Sequence, residues 1–435
     1  MIKYYIINNA SRASKYGVGT YITQLLSCLS SIKDVNVFII DMFADTDEYS
    51  VSVDNANYIH YLIPRIEGIV ESDIYCRSAF YYIVQQVNSK SDDDIIFHFN
   101  YYQHFQLAMR LKTFNPTCKI FFTVHYLSWC FILNGNLSKF RIFIDKQRNL
   151  FRNKMEFNSD YAENEDKLLI NKGDELMESY QLECKFMQLA DSVIVLSKKT
   201  NEIIEKDYHI DGNKLIIIKN GLEDRFCKLK ENNFFKKRNR KNSWDSRINV
   251  LYVGRLDEIK GVCYLIKAFK ILYEKDKSLH LYLIGDGDMG YYLSEAQEIC
   301  EAVTFTYRLN YLKTEHFYSQ ATIGVLPSFH EQCSYTAIEM MMNAIPYIGT
   351  DSTGLKEMLE NTPGNIVHID EDNFDANSFI RDLSQKMSKL IYNKNYYKES
   401  SYLVRQSYLD SYTINQMEEG YKNLINKSIK IHATS

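Results

Sequence analysis

A short apolar run, then a stretch whose apolar residues recur three and four apart, then another run: this alternation, kept up along the chain, constrains its fold more than any other feature. In the first half the runs lie at 3–8 (KYYIIN), 35–41 (VNVFIID), 94–99 (DIIFHF), 119–125 (KIFFTVH), 191–196 (DSVIVL) and 215–219 (LIIIK). Helical spacing fills 20–30 and 177–190. A strand buried on both faces is apolar throughout instead of alternating, so strand and helix in repeated succession imply a parallel sheet covered by helices. The second half repeats the scheme with runs at 249–253, 280–284, 303–306, 323–326, 347–349 and 366–369. The expected class is α/β, with two doubly wound domains.

Length agrees, because 435 residues exceed what one hydrophobic core usually supports. Residues 228–247 (KLKENNFFKKRNRKNSWDSR) lack an apolar period and are rich in Lys, Arg and Asn, as an exposed linker is, which sets the boundary near residue 222. The first domain is then 1–221 and the second 222–406. Residues 126–175 read as a long irregular insertion, aromatic at first (YLSWCFILNG) and then charged, which either shapes an acceptor site or is a surface excursion. Residues 407–428 read as one late helix with no strand after it.

Several function classes drop out. A net charge of −4 provides no basic field for nucleic acid. The nine cysteines are scattered and never spaced C-x-x-C, which argues against a disulfide framework or a zinc site and suits a reducing cytoplasm. No uncharged apolar run approaches the roughly 18 to 20 residues needed to cross a bilayer. Any membrane contact is therefore expected to be peripheral, at the inner face, through the basic linker and the aromatic residues of 126–133.

Ligands of such sheets bind at the C-terminal ends of the strands. There the first domain carries ASRASKYGVGT, in which Gly17 and Gly19 let the backbone turn before a helix at Thr20; the pair suits a phosphate or a sugar hydroxyl, or is a plain turn. His125 closes KIFFTVH at the strand edge, whereas His98 sits among apolar neighbours, as a structural histidine does. In NVLYVGRLDEIKG, after Gly254, Arg255 and Lys260 can reach one diphosphate, or pair with Asp257 and Glu258. LYLIGDGDM supplies Gly285 and Gly287, and its Asp286 and Asp288, like Asp92 and Asp94, read as solvated turn residues in preference to metal ligands. In IGVLPSFHEQCSYTAIEMMMNAIP a strand leads into a loop carrying Glu331 and a helix at about 334–343. Ser334 is its N-cap, the amides of Tyr335 and Thr336 form an anion site, and Glu339 can accept hydrogen bonds from vicinal hydroxyls.

Two glutamates eight positions apart after P-S, with G-R-L-x-x-x-K-G some seventy residues upstream, resemble the retaining glycosyltransferase family 4 of the GT-B fold, the glycosyl transferases group 1. YGVGTY, TVH, VIVLS, IIIKNGLE, LIGDG and TDSTGLKEML extend the resemblance over nearly the whole chain. It implies two Rossmann-like domains facing across a cleft, the first completed by a C-terminal helix within 407–435. It implies further that Arg255 and Lys260 bind the donor diphosphate, Glu339 the ribose and Glu331 the donor sugar. His125 would line the acceptor side, Gly17 and Gly19 would approach the diphosphate or acceptor, and Gly354 and Glu357 match the small-residue loop and acid that follow.

The implied reaction moves a sugar, with retention, from a nucleoside-diphosphate sugar (a UDP- or GDP-sugar) to a hydroxyl of a carbohydrate, lipid-linked or peptide acceptor, in glycan or polysaccharide biosynthesis and without a metal. Cys333 and Ser334 stand where many relatives have glycine, which leaves the donor open. The alternatives are a sugar-nucleotide epimerase on the same scaffold, and a nucleotide-binding partner subunit without turnover.

Overall fold

The computed structural model describes residues 1–13, 17–66, 73–87, 93–152, 164–225, 247–309 and 311–430. The chain forms two compact units: Met1–Ser128 with Ser159–Asn220 and Ile414–Ser435, and Trp129–Asn158 with Gly221–Thr413.

The first unit is built on an eight-stranded sheet of β1 (Ile2–Asn9), β2 (Val35–Ala44), β3 (Ser50–Val53), β4 (Ile59–Pro64), β5 (Asp94–Phe99), β6 (Lys119–Val124), β7 (Ser192–Val195) and β8 (Leu215–Ile217). Their order is β3-β4-β2-β1-β5-β6-β7-β8. All neighbours are parallel except β3 and β4. The apolar runs became these strands because both faces are covered: Tyr4, Ile6 and Ile7 of β1 and every residue of β7 are buried. The strand order reverses between β1 and β5, which places the topological switch point at the loops after Asn9 and Phe99.

The hairpin of β3 and β4 carries no apolar run. His60 interrupts β4 to bond Asp41, while Asp54 Oδ1 accepts the amides of Ala56 and Tyr58 to make the turn. Two helices, Lys394–Ser411 and Ile414–Lys430, replace the single late helix expected over 407–428. Tyr412 breaks it, leaving helical geometry (φ −131°, ψ 19°) with its ring buried, and its carbonyl accepts from the Leu222 amide (3.1 Å). The helix after the break packs on Gly17–Ser30 within the first unit, where a Cβ on Gly420 would stand 3.0 Å from Ile218.

Residues 126–175 are helical in three places instead of irregular: Trp129–Ile132, Leu137–Arg152 and the start of Asn164–Leu189. No Gly or Pro falls within 137–152 to oppose a helix. Residues 129–158 also group with the second unit, not the first. Trp129 stacks on Phe140 (5.2 Å) and meets His330 edge-on (5.7 Å), Asn136 Nδ2 donates to the Glu371 carbonyl (2.6 Å), and the Ser138 amide donates to the Glu371 carboxylate (3.0 Å). Leu127, Trp129 and Cys130 are buried, which leaves Phe131 as the exposed large apolar side chain of the aromatic stretch. The basic linker falls almost wholly outside the described residues, and no helix among those described is long and apolar enough to cross a membrane.

The second unit has a six-stranded parallel sheet of β9 (Ile248–Val253), β10 (Leu279–Ile284), β11 (Val303–Thr306), β12 (Ile323–Leu326), β13 (Tyr347–Thr350) and β14 (Ile366–Val367), in the order β11-β10-β9-β12-β13-β14. Its switch point lies between β9 and β12.

Candidate active site

The loops leaving β9 and β12 are drawn together by backbone contacts only glycine permits. Gly261 is left-handed (φ +66°), and a Cβ there would stand 2.2 Å from the Pro327 carbonyl. One turn away the Phe329 amide donates to the Ile259 carbonyl (2.8 Å). Lys260 is thereby carried to Glu331, with Nζ 2.5 Å from Oε1 and both side chains 17% exposed. Ser328 Oγ donates to the same oxygen at 3.3 Å. The Glu331 carbonyl accepts from the Gly354 amide (2.6 Å) and the Thr353 hydroxyl. Gly354 has to be glycine because a Cβ would fall 1.6 Å from the Gln332 carbonyl oxygen.

Arg255 starts from another partner. It pairs with Asp257 (2.8 Å), both about a third exposed, and its guanidinium lies over the Phe131 ring (5.6 Å). Lys260 takes Glu331 instead of Glu258. Gly254 and Gly285 interlock: the Gly254 amide donates to the Ile284 carbonyl (2.9 Å), and a Cβ on Gly285 would lie 1.8 Å from the Gly254 carbonyl oxygen. Asp288 is occupied as the N-cap of Met289–Glu295, accepting the Tyr291 amide (3.2 Å). Asp92 lies outside the described residues, among which no cluster of three His, Cys, Asp or Glu side chains is placed to hold a metal ion.

Ser334 caps the helix Tyr335–Met342: its Oγ accepts the Ala337 amide (3.4 Å) and its carbonyl the Ile338 amide (3.1 Å). The amides of Tyr335 and Thr336 precede the first intrahelical bond, at the positive end of the dipole. One turn on, Glu339 accepts from the Tyr318 hydroxyl (2.5 Å). Burial pushes its carboxyl up to about 7, against the pull of Tyr318 and nearby Arg225.

Three side chains here escaped the sequence reading. Burial and Lys260 push His330 down to about 3, so it is neutral, and its Nδ1 lies 3.2 Å from the Thr353 hydroxyl. Gln332 is 4% exposed, with neither amide atom hydrogen-bonded among the described residues. Tyr318 lies 21 positions before its carboxylate. The first two flank Glu331 and were discoverable as polar residues inside the motif, whereas Tyr318 had no local signal.

In the first unit His125 follows β6 directly. Its Nε2 is 2.9 Å from Asn100 Oδ1, and the edge of the Tyr21 ring meets it at 4.5 Å and 76°. Burial pushes it down to about 3 and keeps it neutral. His98 is fully buried between the Tyr4 hydroxyl (2.7 Å) and Thr123 Oγ1 (2.6 Å), in a structural place. Tyr21 continues that network to Thr123 (2.9 Å) and to Tyr421 of the last helix. Gly17 and Gly19 do not precede the helix but form its first turn, since it begins at Gly17, and a Cβ on Gly17 would meet nothing within 4 Å.

Residues 247–391 match the family model Glycosyl transferases group 1. An uncharacterized glycosyltransferase of Methanocaldococcus jannaschii is 31% identical over 176 residues, 40% of this chain and 43% of that protein. The capsular polysaccharide biosynthesis glycosyltransferase CapM of Staphylococcus aureus is 25% identical over 198 residues, 44% of each. The matched stretch thus spans less than half the length of these curated relatives. Among solved structures, sucrose-phosphate synthase from Thermosynechococcus elongatus superposes over all of both chains (TM-score 0.71, 17% identity). Anabaena HepE in complex with UDP and glucose superposes over 98% of this chain and 100% of its own (TM-score 0.66, 13% identity). The chain has the GT-B fold, and its residues 247–391 match the glycosyl transferases group 1 family model.

Proposed function

We propose that this protein is a retaining glycosyltransferase that moves a sugar from a nucleoside-diphosphate donor to an acceptor hydroxyl. The observation that carries the reading is the bond from Lys260 to Glu331 at the switch point of the second sheet, beside a helix N-terminus capped by Ser334 and a buried Glu339. An ammonium has three donors, so Lys260 keeps two for the donor diphosphate while Glu331 holds it in place. Arg255 exchanges Asp257 for the same phosphates. Both cations then stabilise the charge of the departing diphosphate, each worth on the order of 3 kcal/mol in the transition state. The amides of Tyr335 and Thr336 hold phosphate, Glu339 binds the ribose diol, Glu331 faces the donor sugar, and His125 lines the acceptor side. Gly17, Gly19, Gly254, Gly285 and Gly354 shape the backbone around the donor.

In the retaining step the bond from the anomeric carbon to the phosphate oxygen breaks. The acceptor oxygen bonds to that carbon on the same face, and the acceptor proton passes to the departing phosphate oxygen, so the step needs neither a protein nucleophile nor a metal. The neighbour solved with UDP and glucose makes UDP the first nucleotide to test, and the relative named for capsular polysaccharide biosynthesis supports a glycan acceptor.

Thermal shift against UDP, GDP, ADP, CMP and dTDP and their sugars tests the reading. At about a hundred times its dissociation constant the right nucleotide adds roughly 2.7 kcal/mol of stability, and Arg255→Ala and Glu339→Ala are expected to lose the effect. Stabilisation by none of them would overturn the diphosphate site. The product's anomeric proton coupling tests retention, and an inverted product would overturn that part alone.

A further inference from the structure

The proposed reaction uses His125 but leaves unexplained what holds it. Asn100, 2% exposed and next after β5, is gripped at both ends of its carboxamide: Nδ2 donates to the Ile7 carbonyl (3.4 Å) while Oδ1 faces His125 Nε2 (2.9 Å). A carbonyl only accepts, so the Ile7 contact settles which end of the amide turns toward the imidazole. A carboxamide oxygen also only accepts, so Nε2 must carry the proton. The other nitrogen, Nδ1, is then a bare acceptor, and among the described residues no protein group is bonded to it. The edge-on Tyr21 ring, fixed by hydroxyl bonds to Thr123 and Tyr421, restrains the imidazole plane. Burial keeps the ring neutral well below physiological pH, so the tautomer, not the charge, decides what His125 recognises.

We infer that Asn100 is a positioning residue that locks His125 as its Nε2–H tautomer, so that Nδ1 accepts a hydrogen bond from a hydroxyl of the acceptor. This rests on the proposed placement of His125 on the acceptor side. A substrate lacking that hydroxyl, or bearing it as an ether, has no proton to give and is turned over more slowly.

Long-range proton–nitrogen correlation spectra of protein labelled with ¹⁵N-histidine, with His125 assigned from its loss in His125→Gln, read the tautomer without any activity. The wild type is expected to show the Nε2–H pattern. Asn100→Asp keeps an acceptor and is expected to retain it. Asn100→Leu is expected to lose it, with kcat falling by up to about 100-fold as for a misplaced group, while the nucleotide-induced thermal shift persists. An Nδ1–H pattern in the wild type, or an unchanged Nε2–H pattern in Asn100→Leu, would overturn the inference. If Asn100→Leu does not fold, the wild-type spectrum decides alone. His125→Ala transferring sugar at the wild-type rate would instead remove His125 from the acceptor whatever its tautomer, so the two failures are told apart.

Discussion

The polar side chains around His125 and those around Lys260 differ in electrical character. In the first unit the polar groups are neutral and chained by hydroxyls: His98, Thr123, Tyr21 and Tyr421 in one network, and His125 on Asn100 beside it. In the second they are ions held in pairs, Lys260 with Glu331 and Arg255 with Asp257, next to the capped helix. Fixed dipoles suit a neutral hydroxyl, whose recognition depends on direction. Paired cations suit a diphosphate, because each acid holds its cation in position for the anion, Asp257 yielding Arg255 to it and Glu331 keeping Lys260 in place. Removing one partner from such a pair leaves an uncompensated charge, whereas a missing hydroxyl in the neutral network costs a single hydrogen bond.

That contrast is most exposed to failure at Lys260. Lys260→Ala is expected to lower turnover by about 10² to 10³-fold, as loss of one transition-state donor does, and a loss below tenfold in steady-state kinetics would deny the ion pairs their role. Next in size come the glycines. Gly285→Ala drives a Cβ to 1.8 Å from a backbone oxygen at φ +152° and is expected to cost about 2 kcal/mol or more in denaturant melts. Gly17→Ala has open space and is expected to gain up to about 1 kcal/mol. If Gly17→Ala nonetheless loses activity, that glycine serves a ligand, as Gly285 serves packing.

Glu339 gives a pH signature. Its carboxyl is raised from 4.5 to about 7 in the fold, so the stability it lends is fully present below the ordinary value and is lost as pH rises through about 7. Melting temperatures of Glu339→Gln and wild type should nearly coincide at pH 4 and diverge by pH 8 in favour of the variant; parallel curves would show no raised carboxyl. The smallest effect belongs to the neutral network, where Tyr421→Phe removes one hydroxyl and is expected to cost about 1 kcal/mol.

Legibility followed the range of the interactions. The runs at 94–99 and 323–326 became strands at the same bounds, because buried parallel strands advertise themselves by largely apolar sequence. Ser334 was visible as a cap because a cap bonds within three residues. The hairpin of β3 and β4 was not, since its strands alternate and its turn is made by a lone Asp54. Residues 126–175 misled for another reason: their packing partners, His330 and Glu371, lie some two hundred positions away. In the site, the motif exposed Lys260 and Glu331 as candidates but not their bond to each other. Asn100 and Tyr318 act through side chains 25 and 21 positions distant and had no local pattern to betray them.

The break at Tyr412 bears on how the chain is made. The helix Ile414–Lys430 supplies Tyr421, Leu424 and Ile425 to the interior of the first unit, whose other strands end by Ile217. Domains of nascent chains commonly fold in order of synthesis, the N-terminal one first. Here that order cannot run to completion: the first unit waits with an open seam along Gly17–Ser30 while some two hundred further residues emerge, and the second unit's sequence is all translated before the first can close. A ribosome stalled near residue 413 would hold a fully translated second half and an unsealed beginning.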